Sequence, residues 1–530
     1  MSMNWRYPYP SARPAVLGSN AISTSQPLAS QAGLNMLYQG GNAVDAAIAA
    51  ATTLTVVEPT GCGIGSDAFA LVWDGKALSG LNASGRAPEA WSADYFKGLD
   101  AVPQTGWNSV TVPGAVSGWV ALSERYGKLP LSTVMQPAIN YARHGFPVSP
   151  IIASLWDLGA QKLGTQPGFA SCFMPGGRVP KAGETVINQA QAETLSLIAR
   201  SNGEAFYRGE LAQKMVEHAR RCGGALSLDD LAKHQINWCD PISTSFGRYR
   251  LHEIPPNGQG IAALMALGML DALGFEGLEV DDAQTVHLCI EAMKIAFADL
   301  YEHNADLDHM RIQPADLLNP HYLRERAALI DPKYAQAPVF GSPKPGGTVY
   351  LAAADANGMM VSFIQSNYMG FGSGVVVPDT GISLQNRGHG FSLDPAHANC
   401  VAAGKRPSHT IIPGFVTHQN GDPYMAFGVM GGPMQSQGHL QMCVRVLHFR
   451  QNPQAASDAP RWRVTGGLDV SLEPGFTPSV IDELKARGHA LTIEEGNGVF
   501  AFGGAQLIVR ENGSYVGGSD HRKDGQACAF

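Results

Sequence analysis

No apolar run in this chain approaches the ~18–20 residues that cross a bilayer as a helix. The first ten residues, Met1-Ser2-Met3-Asn4-Trp5-Arg6-Tyr7-Pro8-Tyr9-Pro10, lack the apolar centre of a secretory signal. Cysteine is sparse and unpatterned, eight residues without a CxxC pair, which argues against thiolate zinc and redox motifs and for reduced thiols. Charge is scarce as well. Only 15% of residues are charged, the net charge is −8, and no basic stretch is interleaved with aromatics, so nucleic acid is not an expected partner. No GxSxG elbow and no Walker-type phosphate loop occur, which removes the α/β-hydrolase and P-loop readings. The expectation is a cytoplasmic protein that uses no membrane, metal or cofactor.

What is present suits an enzyme. A chain of 530 residues with 45% hydrophobic content and 61 glycines is long enough for several packed layers joined by tight turns. Apolar spacing near 3.6 predicts helices over Pro27–Tyr38 and from an Asn42 N-cap to Ala50. It continues in a mainly helical region from Pro113 to Asp331, with helices over 114–126, 131–143, 189–201, 209–222, 228–234, 260–273 and 282–303. The glycine-rich loop Glu58–Asp67 leads into strand residues where a dinucleotide fingerprint needs a helix, so it does not predict a nicotinamide site. His287, His303 and His309 have no metal-ligand spacing and read as core or surface histidines.

The chemistry centres on Gly346-Gly347-Thr348. A proline- and glycine-rich run, Phe340 to Pro345, leads into Thr348 and then into Val349-Tyr350-Leu351, which with Met359 to Ile364 forms a hairpin about Asn357-Gly358. Taken alone, Thr348 simply opens a strand. If the bond before it is cut, it becomes an N-terminal threonine whose free α-amine, with an unperturbed pKa of about 7.7–8.0, serves as its own base. Downstream, Ser366 and Tyr368 lie in a polar stretch that the hairpin brings near Thr348. Gly431-Gly432 ends a strand, either as an ordinary turn or as paired N–H groups of an oxyanion hole. Arg86, beside a glycine turn, is a solvated charge or an anion anchor. Arg387 is a salt-bridge partner or an anion reader, and Tyr368 and His409 pack or touch substrate.

Together these blocks resemble the γ-glutamyltranspeptidase family of N-terminal-nucleophile hydrolases. The matching segments are Gly40 to Ala47, Thr111-Val112-Pro113-Gly114, Gly347-Thr348, Gly372-Ser373-Gly374, Gly404-Lys405-Arg406-Pro407 and Gly431-Gly432. The resemblance implies an α+β, four-layer αββα sandwich formed jointly by two fragments of one precursor. Self-cleavage between Gly347 and Thr348 would leave a large fragment, 1–347, and a small one, 348–530, associated in one intertwined catalytic domain, and such αβ units could pair. It also implies that Thr348 is the nucleophile, that Ser366 hydrogen-bonds it, and that Gly431 and Gly432 form the oxyanion hole. The 386–390 loop carries Arg387 and no carboxylate, unlike γ-glutamyl enzymes, and His409-Thr410 replaces a serine pair. With Arg86, Tyr368, Arg387 and His409 as substrate contacts, this variant is similar to the family's amidohydrolase branch. The expected substrate is a small anionic amide, oxamate converted to oxalate and ammonia in purine-ring degradation. The alternatives are a γ-glutamyl or glutaryl-type amide hydrolase or transpeptidase, and a non-catalytic binding homologue.

Overall fold

The hairpin anticipated at Thr348 is built as strands Gly347–Ala354 and Met360–Tyr368, paired antiparallel and turned through Asp355 to Gly358. The computed structural model describes Trp5 and residues 12–338, 347–495 and 501–530. The Phe340 to Gly346 run lies outside the described residues. Gly358 turns at φ +92°, a left-handed value that glycine accepts without a Cβ clash.

Seven strands make the sheet that holds this hairpin, in the order Gln526–Ala529, Ala21–Thr24, Gly347–Ala354, Met360–Tyr368, Asp67–Trp73, Leu78–Ala83 and Asn237–Cys239. A second seven-stranded sheet runs Val16–Gly18, Ser514–Ser519, Gly504–Glu511, Pro423–Met430, Gly414–His418, Tyr249–Glu253 and Ile242–Phe246. Neighbours in both sheets are antiparallel. Because strand side chains alternate, Tyr350, Ala352 and Ala354 point into a layer between the sheets with Phe415, Ala426 and Ile508. Val349, Leu351 and Ala353 point the other way, into the core under the helices. Helices Pro27–Tyr38 and Ala43–Val57 cover that outer face, while Gly260–Leu273 and Met434–Cys443 cover the second sheet. The result is the expected αββα sandwich.

Asn42 caps its helix as expected. Its side chain accepts from the N–H groups of Val44 and Asp45, and Asp45 returns a bond to the Asn42 N–H at 2.9 Å. The helix does not stop at Ala50 but runs to Val57 through Thr52, Thr53, Thr55 and Val56. Local β-preference is overridden there because every residue from Ala43 to Val57 is buried. Two other expectations are corrected. The 131–143 helix divides into Leu131–Val134 and Gln136–His144, the second carrying Pro137 in its first turn, where a missing N–H costs nothing. The supposedly helical region also hides the hairpin Ile242–Phe246 with Tyr249–Glu253, turned at Gly247. Polar Arg250 and His252, alternating with buried Tyr249, Leu251 and Glu253, weakened its apolar signal.

Candidate active site

Thr348 sits where the hairpin register slips. Gly347 is opposite Tyr368 and Val349 is opposite Gln365, so Thr348 alone faces Ser366 and Asn367. Such a bulge re-aims side chains, and here the Ser366 Oγ comes within 3.2 Å of the Thr348 Oγ1. Ser366 Oγ also accepts the Tyr368 N–H at 2.7 Å. On the other side, Gln435 Nε2 donates to Thr348 Oγ1 at 3.2 Å, while its Oε1 accepts the Ile412 N–H at 3.0 Å. The second bond fixes which end of the amide faces the threonine. The hydroxyl is thus held between two polar groups, in a residue only 3% exposed.

Gly431 and Gly432 follow the Pro423–Met430 strand and precede the Met434–Cys443 helix. Their φ angles, +122° and +63°, make glycine the suitable residue at both. Gly431 and Thr348 line one cavity of about 340 Å³. Leu155, Leu158 and Leu163 from the helix Pro150–Leu163 form an apolar wall with Met369, and Glu58, Gln104, Asn386, Lys162 and Lys523 supply polar groups. Glu58 accepts a 2.6 Å bond from Ser25 Oγ, and burial pushes its carboxyl up to about 7.

Of the four substrate contacts read from the sequence, none lines this cavity. Arg86 donates to the Gly404 carbonyl at 2.9 Å and pairs with the buried Asp306 at 3.3 Å. Arg387 is fully buried, bonded to Thr410 Oγ1 at 2.8 Å and stacked 4.2 Å from the Tyr368 ring centroid. Its Nε and Nη2 have no described partner. Burial lowers its pKa to about 10, opposed by Tyr368 and Asp67. Tyr368 adopts φ +78° directly after the bulge. His409 is fully buried. The Ile411 N–H donates to its Nδ1 at 3.3 Å, so its Nε2 carries the proton that Asp67 accepts at 3.1 Å. Burial holds His409 neutral and raises Asp67 to about 6. Tyr368 and His409 instead line a second cavity of about 280 Å³ that shares no lining residue with the first.

His287 does find neighbours, Glu291 and His489, with ligand atoms within 4.8 Å of one another. Those atoms are already engaged. His287 Nδ1 meets His489 Nε2 at 2.8 Å, its other nitrogen meets the Asp331 carbonyl at 2.8 Å, and Glu291 accepts from Lys294 at 2.8 Å. The cluster therefore reads as a core network and not as a metal centre.

Sequence reasoning missed Gln435, Glu58 and both cavity lysines. Gln435, four residues past Gly431, had a signal in its place on the first helical turn after the glycines. The others reach the site only through the fold.

The Gamma-glutamyltranspeptidase family matches residues 29–530. The glutathione hydrolase-like YwrD proenzyme of Bacillus subtilis (strain 168) is 37% identical, over 97% of this chain and 99% of its own. The oxamate amidohydrolase proenzyme of Klebsiella pneumoniae subsp. pneumoniae is 36% identical, over 95% and 97%. The crystal structure of cephalosporin acylase from Bacillus halodurans is similar with a TM-score of 0.95 at 48% identity, covering 100% of this chain and 99% of that one. With a shared fold, a family match across almost its whole length and a threonine at the head of the central hairpin, the chain belongs to the γ-glutamyltranspeptidase family.

Proposed function

We propose that the chain cuts itself between Gly347 and Thr348 and then hydrolyses the amide of a negatively charged acyl group. The observation that carries this reading is the Thr348 hydroxyl, held between Ser366 and Gln435 on the wall of a cavity that Gly431 also lines. In the cut chain the Thr348 α-amine takes the hydroxyl proton as Oγ1 attacks the amide carbonyl. The N–H groups of Gly431 and Gly432 receive the developing oxyanion, and the N-terminus of the adjoining Met434–Cys443 helix favours negative charge there. The amine leaves with a proton, and water then releases the acid from the acyl-enzyme. Fragments 1–347 and 348–530 stay together, because each supplies strands to both sheets.

The named relatives point to different substrates: glutathione, oxamate and cephalosporin. The cavity favours an acyl group with methylenes. Oxamate has none, and would leave the wall of Leu155, Leu158, Leu163 and Met369 unused. A glutaryl-type amide fits better than the oxamate expected from the sequence. The deciding experiment compares amine or ammonia release from a glutaryl amide, a γ-glutamyl amide and oxamate. The expected result is a kcat/KM for the glutaryl amide about tenfold or more above that for oxamate, since each buried methylene contributes ~0.8 kcal/mol. Fastest turnover of oxamate would restore the expectation from the sequence. An uncut chain inert toward all three would overturn the hydrolase.

Gln435 gives a sharper test of the geometry. In Gln435→Leu the donor to Thr348 Oγ1 is lost with little change in bulk. Both self-cleavage, followed on a gel, and turnover should slow about tenfold, the equivalent of ~1.4 kcal/mol. Unchanged rates would reduce Gln435 to an anchor for the Ile412 N–H.

A further inference from the structure

Two lysines that the reaction above does not use line the cavity beside Thr348. Lys162 lies on the last turn of the helix Pro150–Leu163, and Lys523 on the loop after the Ser514–Ser519 strand. Among the described residues neither ammonium has a hydrogen-bond or ion-pair partner. Leu155, Leu158 and Lys162 follow one another at helical spacing, so one helix face offers an apolar track that ends in a cation.

Lys523 is mounted with some care. It is half-buried, and its stem lies across Gly504, where a Cβ would stand 2.6 Å from its Cγ and 3.1 Å from its Cε. Gly504 pairs with Met430, the residue before Gly431, so the stem runs beside the strand end that leads into the glycine pair. Its loop is held by Asp520, which accepts from the Ala505 N–H at 2.6 Å and from Arg461 at 2.5 Å. The acid that shares the cavity, Glu58, forms no ion pair with Lys523 within 4.0 Å among the described residues. Its carboxyl, raised by burial, does not fully neutralise the lysine.

Building on the reading of Thr348 as nucleophile, we infer that Lys523, with Lys162 on the helix wall, binds the free carboxylate of the substrate's acyl group and selects for it. An acyl chain attached at Thr348 lies along the leucines with its acid end between two cations. The positive α-ammonium of a γ-glutamyl group meets those same cations, which disfavours it.

The test uses the self-cleaved protein and two amides of the same amine, glutaryl and pentanoyl, alike in chain length and different in end charge. In Lys523→Met the glutaryl-to-pentanoyl ratio of kcat/KM should fall about tenfold, chiefly through KM for the glutaryl amide, and Lys523→Arg should restore most of it. Lys162→Met should lower the ratio in the same direction, and the double variant should lower it further. A ratio that stays put in the double variant overturns the assignment while leaving the hydrolase standing. So does a wild-type enzyme that cleaves both amides equally. A cut wild-type chain that hydrolyses neither amide overturns the substrate reading and this assignment with it.

Discussion

Thr348→Ala should leave the chain as a single band at its full 56.2 kDa and lower amide hydrolysis by a factor on the order of 10⁴–10⁶. Both effects come from one atom. In the proposed mechanism the Oγ1 that lies 3.2 Å from Ser366 and 3.2 Å from Gln435 attacks the Gly347 carbonyl during self-cleavage and the substrate carbonyl during turnover. Alanine removes that atom and leaves a small space in a strand whose other contacts persist, so the fold should survive. Thr348→Ser keeps the oxygen and should keep measurable cleavage at a reduced rate, because the lost methyl no longer restricts χ1. Gel analysis over time, combined with product release, separates the two roles. Cleavage at the same bond in the alanine variant, or undiminished turnover, would remove Thr348 from the mechanism.

The largest effect on stability is expected at Asp520. This carboxylate is fully buried and accepts from Arg461 Nη2 at 2.5 Å, the Ala505 N–H at 2.6 Å, the Arg522 N–H at 2.8 Å and Arg522 Nη1 at 3.1 Å. Asp520→Ala removes from Arg461, whose guanidinium is 0% exposed, the one carboxylate its side chain pairs with among the described residues. Leaving one partner of a buried pair uncompensated costs ~3–5 kcal/mol, read as an apparent Tm lower by roughly 3–5 °C in a chain of this size. Burial alone would raise the Asp520 pKa, but Arg461 and Arg522 outweigh it and hold the carboxyl far below the usual range. With a folded value below the unfolded one, near 3.9, the stabilisation is present above about pH 4 and is lost as pH falls toward the folded value. Asp520→Asn should therefore flatten the acid limb of the stability profile as well as lower its plateau. An unchanged Tm and acid limb would show that Glu473, bonded to Arg522 at 2.5 Å, satisfies the cluster by itself.

That Ser366 comes to lie beside Thr348 was legible in the sequence because a hairpin joins them within a few positions. The roles expected of Thr348, Ser366 and the glycine pair came from the family resemblance, since each alone reads as a strand start, a strand residue or a turn. The hairpin itself was legible through its turn and its β-rich arms. Arg387, Tyr368 and His409 were not, because what each side chain meets depends on segments hundreds of residues apart. Asp67 accepts the hydrogen bond of His409 Nε2, and Thr410 and the Tyr368 ring meet one side of Arg387. Arg86 likewise finds Asp306. The acyl-side wall was hidden for a related reason. The helix Pro150–Leu163 exposes Leu158 at 46%, which blurs its amphipathic pattern, and only the tertiary arrangement shows that it faces the Thr348 cavity. Local pattern and the family resemblance pointed to Thr348, and long-range packing decided what surrounds it.

With the cut proposed between Gly347 and Thr348, the interleaving of strands across that bond has a consequence for the life of the molecule. Strand Gly347–Ala354 lies between Ala21–Thr24 and Met360–Tyr368, and Tyr249–Glu253 lies beside Gly414–His418, so neither side of the cut owns a complete sheet. Before the cut, refolding is unimolecular and independent of concentration. Afterwards it requires the meeting of two partners, each with open sheet edges available for wrong pairings. Maturation thus acts as a one-way step: a precursor that unfolds can recover by itself, whereas a matured molecule that unfolds in dilute solution has lost the tether that made recovery fast.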